Sequence, residues 1–525
     1  MPSLTSLNRS AATLTKNRTE DSISPFSGMC VTCIDGCVGM CEIGKSAYRG
    51  HEVIYPQPFG IITTASEKNY PVDYSHFTIL GTAVGAHGIK ADSDIAIFPN
   101  VNLESRIGKL KFKLPIMIPG LGSTNVALNN WEGLAIGTAL AGTGLTIGEN
   151  VVGMDAESEI VNGRVKKSPE LARRVKMFQK WQRDGYGVIV CQANVEDTRL
   201  GAQEYAIREL GVEAVELKWG QGAKDIGGEV KIKNLAKAQL LRKRGYIVLP
   251  DPMDENVIKA FEAGAFKEFE RHSRVGMVSE ESFMERVQEL RDAGAKYVFL
   301  KTGAYRPADL ARAVKYASKA KIDLLTVDGA GGGTGMSPWR MMNEWGVPAV
   351  ELHSLLYDYV HQLAQNGDYV PAIAPAGGFT FEDQMFKGLA LLAPYAKLIG
   401  MARGPLAAAM VGKTIGKRIN EGMLPVYVER FGSNIEEVFV TATDLKRELG
   451  NDTFKELPTG AIGLYTYFER LAQGLRQLMC GNRKFSLAHI DRNDIAALTA
   501  ESAEISGITY IMDADRDEVE QILAS

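Results

Sequence analysis

No run of apolar residues in this 525-residue chain is long enough to cross a bilayer, and its first residues lack the apolar core of a signal peptide. Neither a membrane span nor a secretory leader is expected, and the compartment that follows is the cytoplasm. Basic charge is not in excess. Lys and Arg number 59 against 63 Asp and Glu, a formal net charge of −4, so no nucleic acid or other polyanion is implied as a partner. Cysteine is scarce, and six in the whole chain exclude a disulfide scaffold. Large apolar groups are few in residues 1–28, which are rich in Ser, Thr and Asn and read as a mobile tail; Glu20 and Asp21 break any amphipathic targeting pattern there.

Against that scarcity, Cys30, Cys33, Cys37 and Cys41 fall within twelve residues. The C-x2-C-x3-C-x3-C run, threaded with Gly36 and Gly39, lets one loop turn four thiolates toward a common centre. An iron–sulfur cluster is the expected occupant, with zinc or redox-active free thiols as the alternatives; the spacing departs from the ferredoxin runs, so the cluster type stays open. Cys191 and Cys480 stand alone, and Cys480 closes a helix-like stretch as a packed thiol would.

Residues 29–113 read as a cysteine-rich lead-in of short strands and loops. From Leu114 the pattern becomes strand then helix, repeated. Strands are predicted at Ile116–Ile118, Gly144–Ile147, Gly187–Cys191, Ala214–Lys218, Tyr297–Lys301, Leu324–Val327, Ala372–Ala374 and Lys397–Ile399. Eight β/α units over residues 114–422 predict an α/β protein built on a (β/α)8 TIM barrel. Tyr246–Leu249, in the long gap after the fourth strand, is also strand-like, which keeps a doubly wound open sheet as the alternative. The barrel is favoured because glycine-rich and polar residues follow the strands directly, as they do at the catalytic face of a barrel. Residues 423–525 read as a C-terminal helical cap.

Those strand ends carry the chemistry. Asp323–Pro338, DLLTVDGAGGGTGMSP, runs a buried strand into a loop with five glycines in seven residues, whose backbone can close on a planar or anionic ligand. Pro375-Ala376-Gly377-Gly378 and Gly400-Met401-Ala402-Arg403 lead into helices after strands seven and eight, the usual phosphate position of barrels. Lys301 closes the fifth strand and would place a cation in the barrel mouth.

VELKWGQGAKDIGGE, together with VDGAGGGTGMSP, resembles the FMN-binding synthase domain of glutamate synthases, whose segments read roughly IKIAQGAKPGEGG and GHDGGTGASP. The likeness runs from about Pro115 to about Met410 and, more weakly, through Tyr465–Leu498. It implies an FMN-containing (β/α)8 barrel. It also implies roles: Gly120, Gly122, Ser123, Gln192, Lys301, Gly332 and Gly333 beside the flavin, and Gly377, Gly378, Gly400 and Arg403 at its phosphate. Glu149, Lys224 and Lys301 become the catalytic residues, and Gln221, Lys224 and either Arg242 or Arg244 the groups for a 2-oxo acid. The implied reaction is reductive amination of a 2-oxo acid, most simply 2-oxoglutarate to L-glutamate, by an oxidoreductase of the class acting on CH–NH2 donors. Electrons would pass through the four-cysteine cluster to FMN and leave as hydride.

Three departures narrow the inheritance. Ala330-Gly331 stands where the family has His-Asp, and Cys191 where it has a lysine beside the strand-three glutamine, so the pocket's charge differs. The family's three cysteines after the last barrel strand are absent, which shifts the expected cluster to the N-terminal loop. Pro2 stands where an amidotransferase nucleophile would follow the initiator, so ammonia or an amine is expected from solution or from another subunit. An electron-donor protein, an amidotransferase subunit and a second copy of the chain are the partners considered. The alternative readings are an N-methylglutamate synthase-type subunit, a flavin-dependent isomerase and a non-catalytic electron-transfer subunit.

Overall fold

Period-two alternation sorts the strand residues into two packed sets. Ile116, Ile118, Leu145, Ile147, Ile189, Val215, Leu217, Val298, Leu300, Leu325, Val327 and Ile373 join the helices in one core. Met117, Val188, Val190, Ala214, Phe299, Leu324, Ala374 and Leu398 fill a second, inner one. Two apolar faces per strand are what a parallel sheet wrapped by helices requires. The computed structural model describes Ala47, Arg49 and residues 70–525 other than Gln221, 223–225 and 333–336.

Eight parallel strands close on themselves: Ile116–Leu121, Gly144–Ile147, Val188–Ala193, Ala214–Lys218, Tyr297–Thr302, Leu324–Asp328, Ala372–Ala376 and Ile399–Gly400. Ile399 and Gly400 pair with Ile116 and Met117, so the last strand returns to the first. This is a (β/α)8 barrel, and the open sheet is excluded. The strand-like Ile247–Leu249 belongs elsewhere. With Glu229–Ile232 and Phe269–His272 it forms a three-stranded antiparallel sheet inserted between the fourth and fifth barrel strands. The insert has its own small core of Ile232, Ala238, Leu241, Tyr246, Val248 and Phe269.

The barrel is plugged at one end and open at the other. The hairpin of Ser105–Ile107 and Leu110–Phe112 places Ile107, Leu110 and Phe112 against the inner core, sealing the N-terminal end. Fully burying Phe112 contributes roughly 1.5–3 kcal/mol relative to leaving it exposed. Farther along the same strands the inner positions turn polar, to Gln192, Glu216, Lys301, Thr326 and Asp328. Inside the barrel, the room for a ligand lies at that C-terminal end.

Beyond the barrel, Thr459–Gly481 packs on Arg403–Glu421 and Asn125–Leu140, covering the seam between the eighth and first units. A Cβ on Gly463 would lie 2.7 Å from the Gly412 Cα, so only glycine lets these helices meet so closely. The C-terminal helical region also contains one short strand. Ile495–Ala497 pairs antiparallel with Phe77–Ile79, tying the two ends of the described chain together.

Candidate active site

A cavity opens at the C-terminal ends of the strands. Its floor is built from side chains that end apolar strands. Lys301 Nζ stands 3.2 Å from Asp328 Oδ2, with the two side chains 5% and 6% exposed. Beside them the Gln192 Nε2 donates to Glu216 Oε1 at 2.5 Å. Burial raises the Glu216 carboxyl above the usual range, against the charge of Lys301 and the Gln192 hydrogen bond. Gly120 lies directly over that amide: a Cβ there would come within 2.5 Å of Gln192 Oε1.

One wall holds an acid–base pair on a strained turn. Lys218 Nζ donates to Glu149 Oε1 at 2.7 Å. Asn150, next in the chain, has a left-handed backbone (φ 65°), and its N–H donates to Asp197 Oδ2 at 2.8 Å while its side-chain oxygen accepts from the Tyr246 hydroxyl at 3.2 Å. Burial, reinforced by the Glu149 charge, pushes Asp197 up to about 7, although the N–H groups of Asn150 and Asn194 and the charge of Arg271 oppose it.

The inserted sheet supplies the facing cation. Arg271 lines the cavity, buried, its guanidinium 5.1 Å from the Tyr246 ring centre and hydrogen-bonded to the Ser273 hydroxyl. Its Nε has no hydrogen-bond partner among the described residues. The next arginine, Arg274, is spent on Glu196 at 2.9 Å.

The end formed by strands seven and eight is shaped for an anion. Gly377 and Gly378 adopt φ of 118° and 101°, and nothing lies within 4 Å of where a Gly378 Cβ would stand. Arg403 opens the helix Arg403–Glu421, whose N-cap, Ala402, provides no side-chain bond to the first N–H groups. Burial depresses the Arg403 guanidinium while the charge of Asp328 supports it. It makes no hydrogen bond or ion pair among the described residues.

Gly120, Gly122, Ser123, Glu149, Lys301, Gly332, Gly377, Gly378, Gly400 and Arg403 thus line one cavity, with Gln192 just below it. Gln221, Lys224, Gly333 and the four cysteines lie outside the described residues. Arg242 and Arg244 are elsewhere. Arg242 is an exposed partner of Asp251 at 3.3 Å, and Arg244 donates to the carbonyls of Gly153, Asp155, Ala156 and Ser158. Neither lines the cavity, because both sit at the end of the insert's helix, turned to its outer side or to the neighbouring loop. Arg271, Asp328 and Glu216 were missed. Phe269 and Arg271 share the buried face of a strand whose Glu270 and His272 point the other way, and FERH, with one apolar residue, gives no signal of that face in the sequence.

Among the described residues no group of three or more His, Cys, Asp and Glu is placed to hold a metal ion. No helix among them is long and apolar enough to cross a membrane.

No curated protein matches the chain. Among solved structures it is similar to the flavin-binding domain of baker's yeast flavocytochrome b2, at 12% identity over 81% of this chain and 77% of that one, with a TM-score of 0.46. It is also similar to a mandelate oxidase variant with benzaldehyde, at 14% identity over 80% and 86%, with a TM-score of 0.42. At these scores the barrel rests on its own strand order. The family match covers strands five to eight with their loops: residues 271–409 match the family described as the conserved region in glutamate synthase.

Proposed function

We propose that the protein is an FMN-dependent oxidoreductase of the glutamate synthase type, which reductively aminates a 2-oxo acid. The observation that carries this is the coincidence of two lines. The matched segment contains Lys301, Asp328, Gly377, Gly378 and Arg403, and those residues meet in one cavity. The donor set fits FMN: a guanidinium with no ion-pair partner among the described residues and open left-handed glycines suit a phosphate, and a buried ammonium suits an electron-rich ring. When bound, FMN supplies the two-electron chemistry.

The chain's own residues then divide the work. Arg403 and the backbone at Gly377 and Gly378 hold the phosphate. Lys301, fixed by Asp328, keeps positive charge at the floor where negative charge accumulates on reduction. Arg271 anchors the substrate carboxylate, in place of Arg242 and Arg244. Glu149, poised against Lys218, manages the proton of the incoming amine. The electron path through Cys30, Cys33, Cys37 and Cys41 is part of the same proposal. A second cavity, lined in part by Tyr70, shares Gly377, Gly378, Phe379 and Arg403 with the first.

A substituted amine in place of ammonia is the second reading. Ala330 and Gly331, which stand where the family has His-Asp, line that adjoining cavity and leave it room.

The test is anaerobic. Protein purified with its flavin is reduced chemically, and its reoxidation is followed with 2-oxoglutarate plus ammonia or methylamine. Reoxidation that needs both oxo acid and amine, with the amino acid formed, supports the proposal; reoxidation by neither pair sinks it. Two substitutions separate the subsites. Arg403→Ala is expected to weaken FMN binding on the order of 10- to 100-fold while leaving riboflavin, which has no phosphate, unchanged in a binding titration. Arg271→Met should raise KM for the oxo acid by a similar factor without moving that for the amine.

A further inference from the structure

Gln192, Glu216, Lys301 and Asp328 lie on the third to sixth strands, which are neighbours in the barrel, and all four are buried. With both carboxylates ionised and the lysine protonated, this row carries one net negative charge out of contact with water, which is costly. Further negative charge placed above Lys301 would raise that cost, and one added proton would offset it. Asp328 has an ammonium at 3.2 Å, whereas the hydrogen bond to Glu216 comes from a neutral amide, so Glu216 is the carboxylate that takes the proton.

The same proton decides what Gln192 shows to the cavity. An ionised carboxylate only accepts, so Gln192 must turn its Nε2 to Glu216 and its oxygen toward Gly120, which is the arrangement observed. A protonated Glu216 has an O–H to donate. The amide is then free to turn over and offer its NH2 group toward Gly120 instead.

We propose that Glu216 is the proton-holding group of the barrel floor, taking one proton from solvent when negative charge is added above Lys301, and returning it when that charge leaves. The inference rests on the FMN reading. The proton forms an O–H on the Glu216 carboxylate, the electrons come from an external reductant, and Gln192 exchanges only hydrogen bonds. Three charged groups face Glu216: Lys301 from the fifth strand and Lys218 from its own hold its carboxyl down, and Asp328 from the sixth raises it, beside the larger effect of burial. Glu216 acts through its neighbours and is a positioning residue.

The test uses full-length protein loaded with FMN, reduced anaerobically, and read by reduced-minus-oxidised infrared difference spectra in H2O and D2O. A carboxylic-acid carbonyl band should appear on reduction, shift in D2O and vanish in Glu216→Gln. That variant's flavin potential should also be higher and vary less with pH. Gln192→Leu serves if the first variant does not fold: the band should persist but move, because its hydrogen-bond partner is gone. Flavin-loaded protein that shows no such band, or one unchanged in Glu216→Gln or Gln192→Leu, overturns the inference alone. Protein that takes up no FMN overturns the functional reading and the inference with it.

Discussion

Lys301→Met is expected to destabilise the fold by about 3–5 kcal/mol, because it leaves the Asp328 carboxylate buried without its ion-pair partner. The cost comes from the charge left behind more than from the attraction lost. Methionine fills the volume of the lysine stem, so packing changes little. A double variant, Lys301→Met with Asp328→Leu, removes both charges and should recover most of the loss, since well-packed apolar groups commonly replace a buried pair at little cost. Urea unfolding of the wild type and both variants measures this directly. A single variant as stable as the wild type would mean that water reaches Asp328, and that the floor is not the dry site on which the charge argument depends.

The barrel was legible because its strands are short apolar runs buried on both faces. Gly144–Ile147 and Ala214–Lys218 were read to the residue for that reason. The eighth strand was placed two residues early, at Lys397, since Ile399–Gly400 is only two residues long and its pairing partner, Ile116–Met117, is far off in the chain. The inserted sheet was mostly invisible. Its strand EVKI alternates charge with apolar groups and FERH has a single apolar residue, so neither forms an apolar run, and only Tyr246–Leu249 drew notice. Ile495–Ala497 went unread because three residues carry no period, and their partner lies some 400 positions away.

The candidate site divides along the same line. Lys301 was found because it ends an apolar strand, and Asp328 ends one in the same way within a motif already singled out, so its omission was a failure to apply one rule twice. Arg271 could not be found by position in the chain, which pointed to Arg242 and Arg244. What selects it is the insert's fold, which turns one face of a half-polar strand toward the barrel mouth.

That insert also faces the turn that holds Glu149, and Asp197→Asn tests how the turn is held. Asp197 is buried, and its folded value of about 7 stands above its ordinary 3.8, so the native protein binds more protons than the unfolded chain between about pH 4 and 7. Stability owed to the protonated form is full below about pH 4, falls as pH rises through that window, and is gone above about 7. The difference amounts to roughly 4 kcal/mol by pH 8. Asparagine keeps an oxygen for the Asn150 N–H and cannot ionise. Asp197→Asn should therefore match the wild type near pH 4 and become more stable than it as pH rises, by a margin that stops growing above pH 7. Urea unfolding at several pH values between 4 and 8 checks it, because other titrating groups cancel between the two proteins. Parallel curves would mean that Asp197 stays ionised, balanced by Arg271 across the cavity wall. In that case substrate anchoring and the Glu149 turn would share one ion pair, and Arg271→Met would lower stability as well as affinity.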